Sequence, residues 1–130
     1  VRPFLDTDVL VYAVSKDPRR ARATRLIAEG GIVNLQVMNE FVEVGRRKLG
    51  LSAHDVREAL ADVLFYLDPP RPLDLATHDA ALCLAEAGGL SWWDALIVAA
   101  ALEAGCDTLW TDDLQDGRRF DRLLIRNPFE

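Results

Sequence analysis

Lysine is scarce in this chain: Lys16 and Lys48 are its only two. Cysteine is as rare, and Cys83 and Cys106 lack metal-ligand spacing and lie in apolar stretches. They are expected to be buried, reduced thiols of a cytosolic protein rather than a disulfide framework or a zinc site. No uninterrupted apolar run approaches the roughly 20 residues that span a bilayer. The opening Val1-Arg2-Pro3-Phe4-Leu5-Asp6 turns polar too early to read as a signal peptide. No G-x-G-x-x-G follows a strand, which disfavours a dinucleotide-binding enzyme. Serine nucleophile chemistry lacks a triad, and His54 and His78 have no partner suggesting zinc or a general base. Repeats, low-complexity stretches and domain linkers are absent.

At 130 residues, half of them hydrophobic, the chain suits one compact domain spanning 1–130. The formal net charge of −6 lowers the expectation of a nucleic-acid partner, because phosphate neutralisation supplies much of such affinity. Positive charge is local: Arg19, Arg20, Arg22 and Arg25; Arg46, Arg47 and Lys48; Arg118, Arg119 and Arg122. Each cluster reads first as a solvated face. A bound divalent ion would reverse the local sign at an acidic site.

Phe4-Leu5 reads as a buried first strand, and helical character continues from Thr7 to Ser15. Asp17-Pro18 reads as an N-cap followed by proline at the first helical position, with Gly30-Gly31 stopping that helix. Ile32 to Leu35 reads as a second strand, followed by a helix from about Gln36 to Lys48. Ser52 and Asp55 form a capping box for the next helix, which carries Val56, Leu60, Val63, Leu64 and Leu67 on one face. After the rigid Asp68-Pro69-Pro70-Arg71-Pro72, Leu73-Asp74-Leu75 reads as a brief strand and Thr77 to Glu86 as a helix. Ser91 opens a strongly apolar helix to about Glu103. Thr108-Leu109-Trp110 and Leu123-Leu124-Ile125 are the last strands, with a turn at Asp116-Gly117. The alternation predicts an α/β domain around a mostly parallel sheet.

Four acids stand in informative places. Asp6 follows the first strand directly, and in open parallel sheets ligands bind beyond the carboxyl ends of strands; capping the next helix is its alternative role. Glu40 sits at the border of the apolar arc formed by Val37, Met38, Phe41 and Val44, where it either faces a site or simply reaches solvent. Asp94 is the only charged residue from Trp92 to Leu102. A helix apolar on all sides is buried, so this carboxylate needs a cap or a metal. Asp112 and Asp113 follow the strand ending at Trp110, with Asp116 nearby, as a metal-binding group or a solvated acidic turn. Acids without basic partners at the ends of apolar segments point to Mg²⁺ or Mn²⁺, hard cations that prefer oxygen ligands. Such a site suits attack of a metal-activated water on a phosphodiester.

The order of these motifs resembles the PIN-domain family, especially its VapC-type toxins. The pieces are Phe4-Leu5-Asp6-Thr7-Asp8-Val9-Leu10, Asn39-Glu40-Phe41, Ser91-Trp92-Trp93-Asp94-Ala95-Leu96-Ile97, Leu109-Trp110-Thr111-Asp112-Asp113-Leu114-Gln115-Asp116-Gly117 and Asn127-Pro128-Phe129. The resemblance implies a PIN-like three-layer α/β/α fold with a central, mostly parallel sheet. It also implies an Mg²⁺- or Mn²⁺-dependent endoribonuclease, a toxin acting on RNA such as tRNA. Asp6, Glu40, Asp94 and Asp113 would form the catalytic metal-binding cluster, supported by Thr111. A VapB-like antitoxin, a homodimer and a cytoplasmic setting follow from the same likeness. Asp8 departs from the asparagine common in the family, and Asp112 and Asp116 compete with Asp113. Arg46 and Arg47 are candidates to meet phosphate or an antitoxin carboxylate, with a solvated face as the first reading. Trp92 and Trp93 are expected to pack at the start of the buried helix, base stacking being the alternative.

Two other readings stand beside this one. Asp6-Thr7-Asp8-Val9 fits the D-x-D-x-[T/V] pattern of HAD-type phosphohydrolases, with Asp6 as nucleophile. That reading leaves Glu40 and Asp94 idle and finds no lysine in the second half of the chain. A non-catalytic binding module with the same fold is the other, although all four expected acids are present.

Overall fold

The computed structural model describes residues 2–130; Val1 lies outside them. Ten elements follow one another: β1 (Phe4–Leu5), α1 (Thr7–Val14), α2 (Arg20–Ala28), α3 (Leu35–Arg47), α4 (Ala53–Leu64), α5 (Leu75–Ala87), α6 (Trp92–Glu103), β2 (Thr108–Trp110), β3 (Arg119–Phe120) and β4 (Leu123–Arg126). The strands form one sheet in the order β1-β2-β4-β3. β1 runs parallel to β2, β2 parallel to β4, and β3 antiparallel to β4. Phe4, Leu5, Leu109, Leu123 and Ile125 are all buried, as expected for short strands covered on both faces. The α/β expectation with a mostly parallel sheet therefore holds.

Several local expectations shift. The segment 32–35 forms no ladder; it makes isolated parallel bridges, Ile32 to Phe4 and Asn34 to Arg71. Its course is cut short because Asn34 already caps α3, accepting from the Val37 N–H at 3.1 Å. Leu73-Asp74-Leu75 is not a strand either. Asp74 caps α5, accepting from both the backbone N–H and the hydroxyl of Thr77, at 3.1 and 3.0 Å. Asp17 is not the N-cap of α2; that position is Arg19, and Asp17 instead accepts from the Arg19 N–H in the preceding turn. The capping by Ser52 and Ser91 matches expectation, each hydroxyl accepting from the N–H three residues on.

Close approach explains two glycines. Gly45 in α3 faces α4, where a Cβ would come within 3.2 Å of Val56. Gly31 runs beside β1, where a Cβ would lie 3.1 Å from both Leu5 and the Pro3 carbonyl. Helix α1 packs on both α2 and α3, and α3 packs on α4, while α5 packs on α6 and α6 rests on β2. From Ala95 to Ala101, α6 is buried throughout, as its apolar sequence demands. Cys106 is buried as expected, but Cys83 is exposed on α5. No helix among the described residues is long and apolar enough to cross a membrane.

Candidate metal centre

Parallel pairing puts the carboxyl ends of β1 and β2 at one sheet edge, so the residues that follow them meet there. Asp6 leaves β1 and its N–H donates to the Trp110 carbonyl; Thr111 leaves β2 and its N–H donates to the Arg126 carbonyl. The Thr111 hydroxyl, fully buried, donates to Asp6 Oδ2 at 2.8 Å and lies 3.2 Å from Asp8 Oδ2. One hydroxyl proton serves only one of these carboxyls, and the shorter contact favours Asp6. Thr111 Oγ1 also accepts from the Asp113 N–H at 3.0 Å, fixing the turn that carries that acid. Asp6 caps α1 as well, its Oδ1 accepting from the Thr7 N–H at 2.7 Å, so its capping and site-facing positions coincide.

Glu40 comes from α3 on the other side of the opening. Its Oε1 accepts from the Thr7 hydroxyl at 3.1 Å and from Gln36 Nε2 at 3.3 Å. Gln36 Nε2 also reaches the Trp93 carbonyl at 3.3 Å, tying α3 to the first turn of α6. Asp94, half-buried in that first turn, faces Asp113. The structure thus brings Asp6, Glu40 and Asp113 to one cleft of about 400 Å³, with Asp94 beside Asp113 at its edge. Among the described residues, no three acidic, histidine or cysteine side chains close on a common point. Asp6 is turned toward Thr7 and Thr111, Glu40 toward Thr7 and Gln36, and Asp94 toward Asp113.

The electrostatics separate these acids from their neighbours. Burial raises the Asp6 pKa to about 7, with the Glu40 and Asp113 charges adding to the effect and the hydrogen bonds from Thr7 and Thr111 opposing it. Burial and then the Asp113 charge raise Asp94 to about 6. Neither they nor Glu40 and Asp113 have an ion pair with a basic side chain among the described residues. Asp112 differs. Burial opposes its ionisation, but hydrogen bonding to Asp8 and Tyr12 and the Arg19 charge together hold it below the usual carboxylate range. Tyr12 donates to Asp112 Oδ2 at 2.6 Å, and the Arg19 guanidinium lies 3.4 Å from the same oxygen and 4.0 Å over the Tyr12 ring. Asp116 is occupied elsewhere, accepting from the Asn127 N–H at 2.8 Å. Asp113 alone of the three competitors is left facing Asp94.

Asp8, the departure from the family pattern, accepts from the Asp112 N–H at 2.9 Å and leaves Oδ1 buried without a partner. Burial and the facing Asp112 carboxyl raise its pKa to about 9. Sequence reasoning missed Lys48 and Tyr12 as cleft-lining residues. The signal for Lys48 was present, since Glu40, Val44 and Lys48 recur at four-residue spacing on one face of α3. The two histidines are ordinary helix residues, His54 beside Glu58 and His78 edge-on to Trp92. The expectation for Trp92 and Trp93 divides: Trp92 is half-buried, but Trp93 is 62% exposed.

Comparison with known structures matches this fold. VapC20 from Mycobacterium tuberculosis, a sarcin-ricin loop cleaving toxin, is similar at 19% identity over 82% of this chain and 85% of its own, with a TM-score of 0.66. A toxin–antitoxin complex from Klebsiella pneumoniae is similar at 19% identity over 98% of both chains, with a TM-score of 0.74. VapBC2 from Rickettsia felis, bound to a promoter DNA fragment, is similar at 19% identity over 95% of this chain and 96% of its own, with a TM-score of 0.68. Curated protein sequences give no match. The PIN domain family model matches residues 4–123, which spans β1 to the start of β4 and displaces the phosphohydrolase reading: the chain belongs to the PIN domain family.

Proposed function

We propose that this protein is an Mg²⁺- or Mn²⁺-dependent endoribonuclease, the toxin of a cytoplasmic toxin–antitoxin pair, held in check by a VapB-like antitoxin and acting as a homodimer. One observation carries the reading. Asp6, Glu40 and Asp113 line one cleft at the carboxyl edge of the sheet with Asp94 beside Asp113, and none of the four has a basic partner among the described residues, whereas neighbouring Asp112 has one. The likeness to toxins of toxin–antitoxin complexes supports the same reading.

The donor set is all oxygen, and burial makes its negative charge costly, which suits a hard divalent cation. Asp6, Glu40, Asp94 and Asp113 would hold it. When bound, such an ion lowers the pKa of a water and neutralises charge building on the attacked phosphate. Thr111 supports Asp6 with its hydroxyl proton and fixes Asp113 through the N–H it accepts. Thr7 and Gln36 both donate to Glu40 Oε1 and hold it in place. Lys48, exposed at the cleft rim, offers a positive charge to RNA phosphate. With a net charge of −6, RNA affinity is modest and falls steeply with salt.

The test is cleavage of total cellular RNA by the purified protein with Mg²⁺, with Mn²⁺ and with EDTA, beside Asp6→Asn and Asp94→Asn. Metal-dependent cuts lost in both variants uphold the nuclease. Cuts that survive in EDTA or in both variants refute the assigned site.

A further inference from the structure

Two tryptophans open α6, and the fold treats them oppositely. Trp92 is half-buried, its ring 5.2 Å from His78 and packed against the α5–α6 contact. Trp93 leaves 62% of its surface in solvent, one residue before Asp94. An indole is a large apolar surface to leave in water. It stands over a groove of about 440 Å³ that also includes Gln36, Asn39, Glu40, Arg47 and Leu73. This groove and the acidic cleft share Glu40 and Val44, so the two are neighbours across one turn of α3.

Charge says what the groove does not bind. Glu40 and Glu43 line it, and the single arginine, Arg47, is held by Glu43 through bonds of 2.7 and 3.1 Å. A phosphate gains little there. A nucleobase is neutral, and its attraction to an aromatic face does not depend on a basic surface. Asn39, exposed on α3, adds an amide that can donate and accept at a base edge. The platform is anchored through its backbone, since the Trp93 carbonyl accepts from Gln36 Nε2 and Gln36 in turn holds Glu40.

We infer that Trp93 and the groove beside it form a base-stacking subsite for the nucleotide next to the scissile phosphate in single-stranded RNA. The inference deepens the nuclease reading and rests on it for the direction of the strand. It gives an acidic protein a way to hold RNA that phosphate contacts alone do not supply. It also makes recognition local, with one base on the indole and its phosphate at the acidic cleft.

Two arms test it, the first without any catalysis. In the binding arm, oligoadenylate is titrated into the Asp6→Asn protein and its Trp93→Ala and Trp93→Phe derivatives, with tryptophan emission and Kd as readouts. The expected result is quenching that disappears in Trp93→Ala, with a Kd weakened about tenfold or more, and a Kd within about threefold of the parent in Trp93→Phe. In the cleavage arm, with RNA cut by the wild type, Trp93→Ala raises KM by a similar factor while kcat holds, and removing the one base beside the cut has the same effect. Quenching and rescue without any wild-type cleavage would retain the subsite and discard the nuclease. Unchanged Kd and KM in Trp93→Ala overturn the inference. So does a loss that Trp93→Phe does not restore, which marks a structural role. A changed oligomeric mass with RNA binding intact also overturns it, assigning the face to a second copy of the chain.

Discussion

Two groups of acids lie side by side at the same sheet edge, and they are treated differently. In the outer corner, Asp112 receives Tyr12 and Arg19, and Asp17 is lowered to about 2 by its hydrogen bonds from Arg19. The Tyr12 ring is closed over by Phe129, edge-on at 5.1 Å, and the Arg22 guanidinium donates to the Pro128 carbonyl, fastening the C-terminal segment. In that corner both acids pair with the one guanidinium of Arg19. The cleft beside it holds Asp6, Glu40 and Asp113, with Asp94 next to Asp113, and none of the four has a basic partner among the described residues; burial raises the pKa values of Asp6 and Asp94. Adjacent residues, Asp112 and Asp113, fall on opposite sides of this divide. An acid paired with a base holds the fold together; the acids gathered without one are the proposed cation site.

The sharpest way to break the comparison is to remove charge from each side. Asp6→Asn should lower RNA cleavage on the order of 10³-fold with the fold intact. Asp112→Asn, still able to accept from Tyr12, should leave cleavage within about fivefold, because its charge already serves Arg19. Equal losses in the two variants, measured as initial rates on one RNA, would erase the distinction.

Stability should move the other way. The folded-state pKa of Asp6 is about 7 against 3.8 for an ordinary aspartate. Between those values the folded protein keeps a proton that the unfolded chain has released. Its contribution therefore falls as pH rises through that window and levels off above about 7. Metal-free wild type should lose stability from pH 5 to pH 8 relative to Asp6→Asn, by on the order of 2 kcal/mol. Urea unfolding of both proteins at the two pH values reads the difference; parallel curves would show that Asp6 carries no such burden.

Thr111 joins the two sides, and Thr111→Val tests it. The substitution keeps the buried volume but removes the proton given to Asp6 and the oxygen that fixes Asp113. A loss of about 1–3 kcal/mol is expected, with cleavage falling roughly 10- to 100-fold as the acid turn loosens. The smallest effect belongs to Tyr12→Phe. It deletes the 2.6 Å bond to Asp112 while Arg19 remains, so about 1 kcal/mol is lost in unfolding experiments and cleavage is retained.

What the sequence made legible was whatever short-range pattern dictates. The apolar run after Asp94 predicts a buried α6, and Phe4-Leu5 before Asp6 predicts a buried strand. Both are found. The helix caps at Asn34 and Asp74 were hidden because each sits among residues that also read as strand, and the choice is made by neighbours distant in sequence. The two-residue β3 has no pattern of its own; it exists because Arg119 and Phe120 lie against Leu124 and Leu123. The motifs led to Asp6, Glu40, Asp94 and Asp113; the structure puts Asp6, Glu40 and Asp113 on one cleft with Asp94 beside Asp113, but among the described residues no three of these side chains close on a common point. The pairing of Asp112 with Tyr12 and Arg19 did not follow, since those contacts bridge 100 and 93 residues. The same limit hid the exposure of Trp93 and Cys83: both lie in apolar stretches, and burial is decided by which face the tertiary structure covers.

The central claim is that the unpaired acids form a cation site, and direct titration with Mn²⁺ tests it. Calorimetry at pH 7 on the metal-free wild type should show saturable binding with release of protons, since Asp6, raised to about 7, still holds a proton in much of the protein at that pH. Asp6→Asn and Asp94→Asn should each abolish or greatly weaken it, and Asp112→Asn should retain it. Absence of Mn²⁺ binding by the wild type, or binding that survives loss of Asp6 and Asp94 together, would contradict the account.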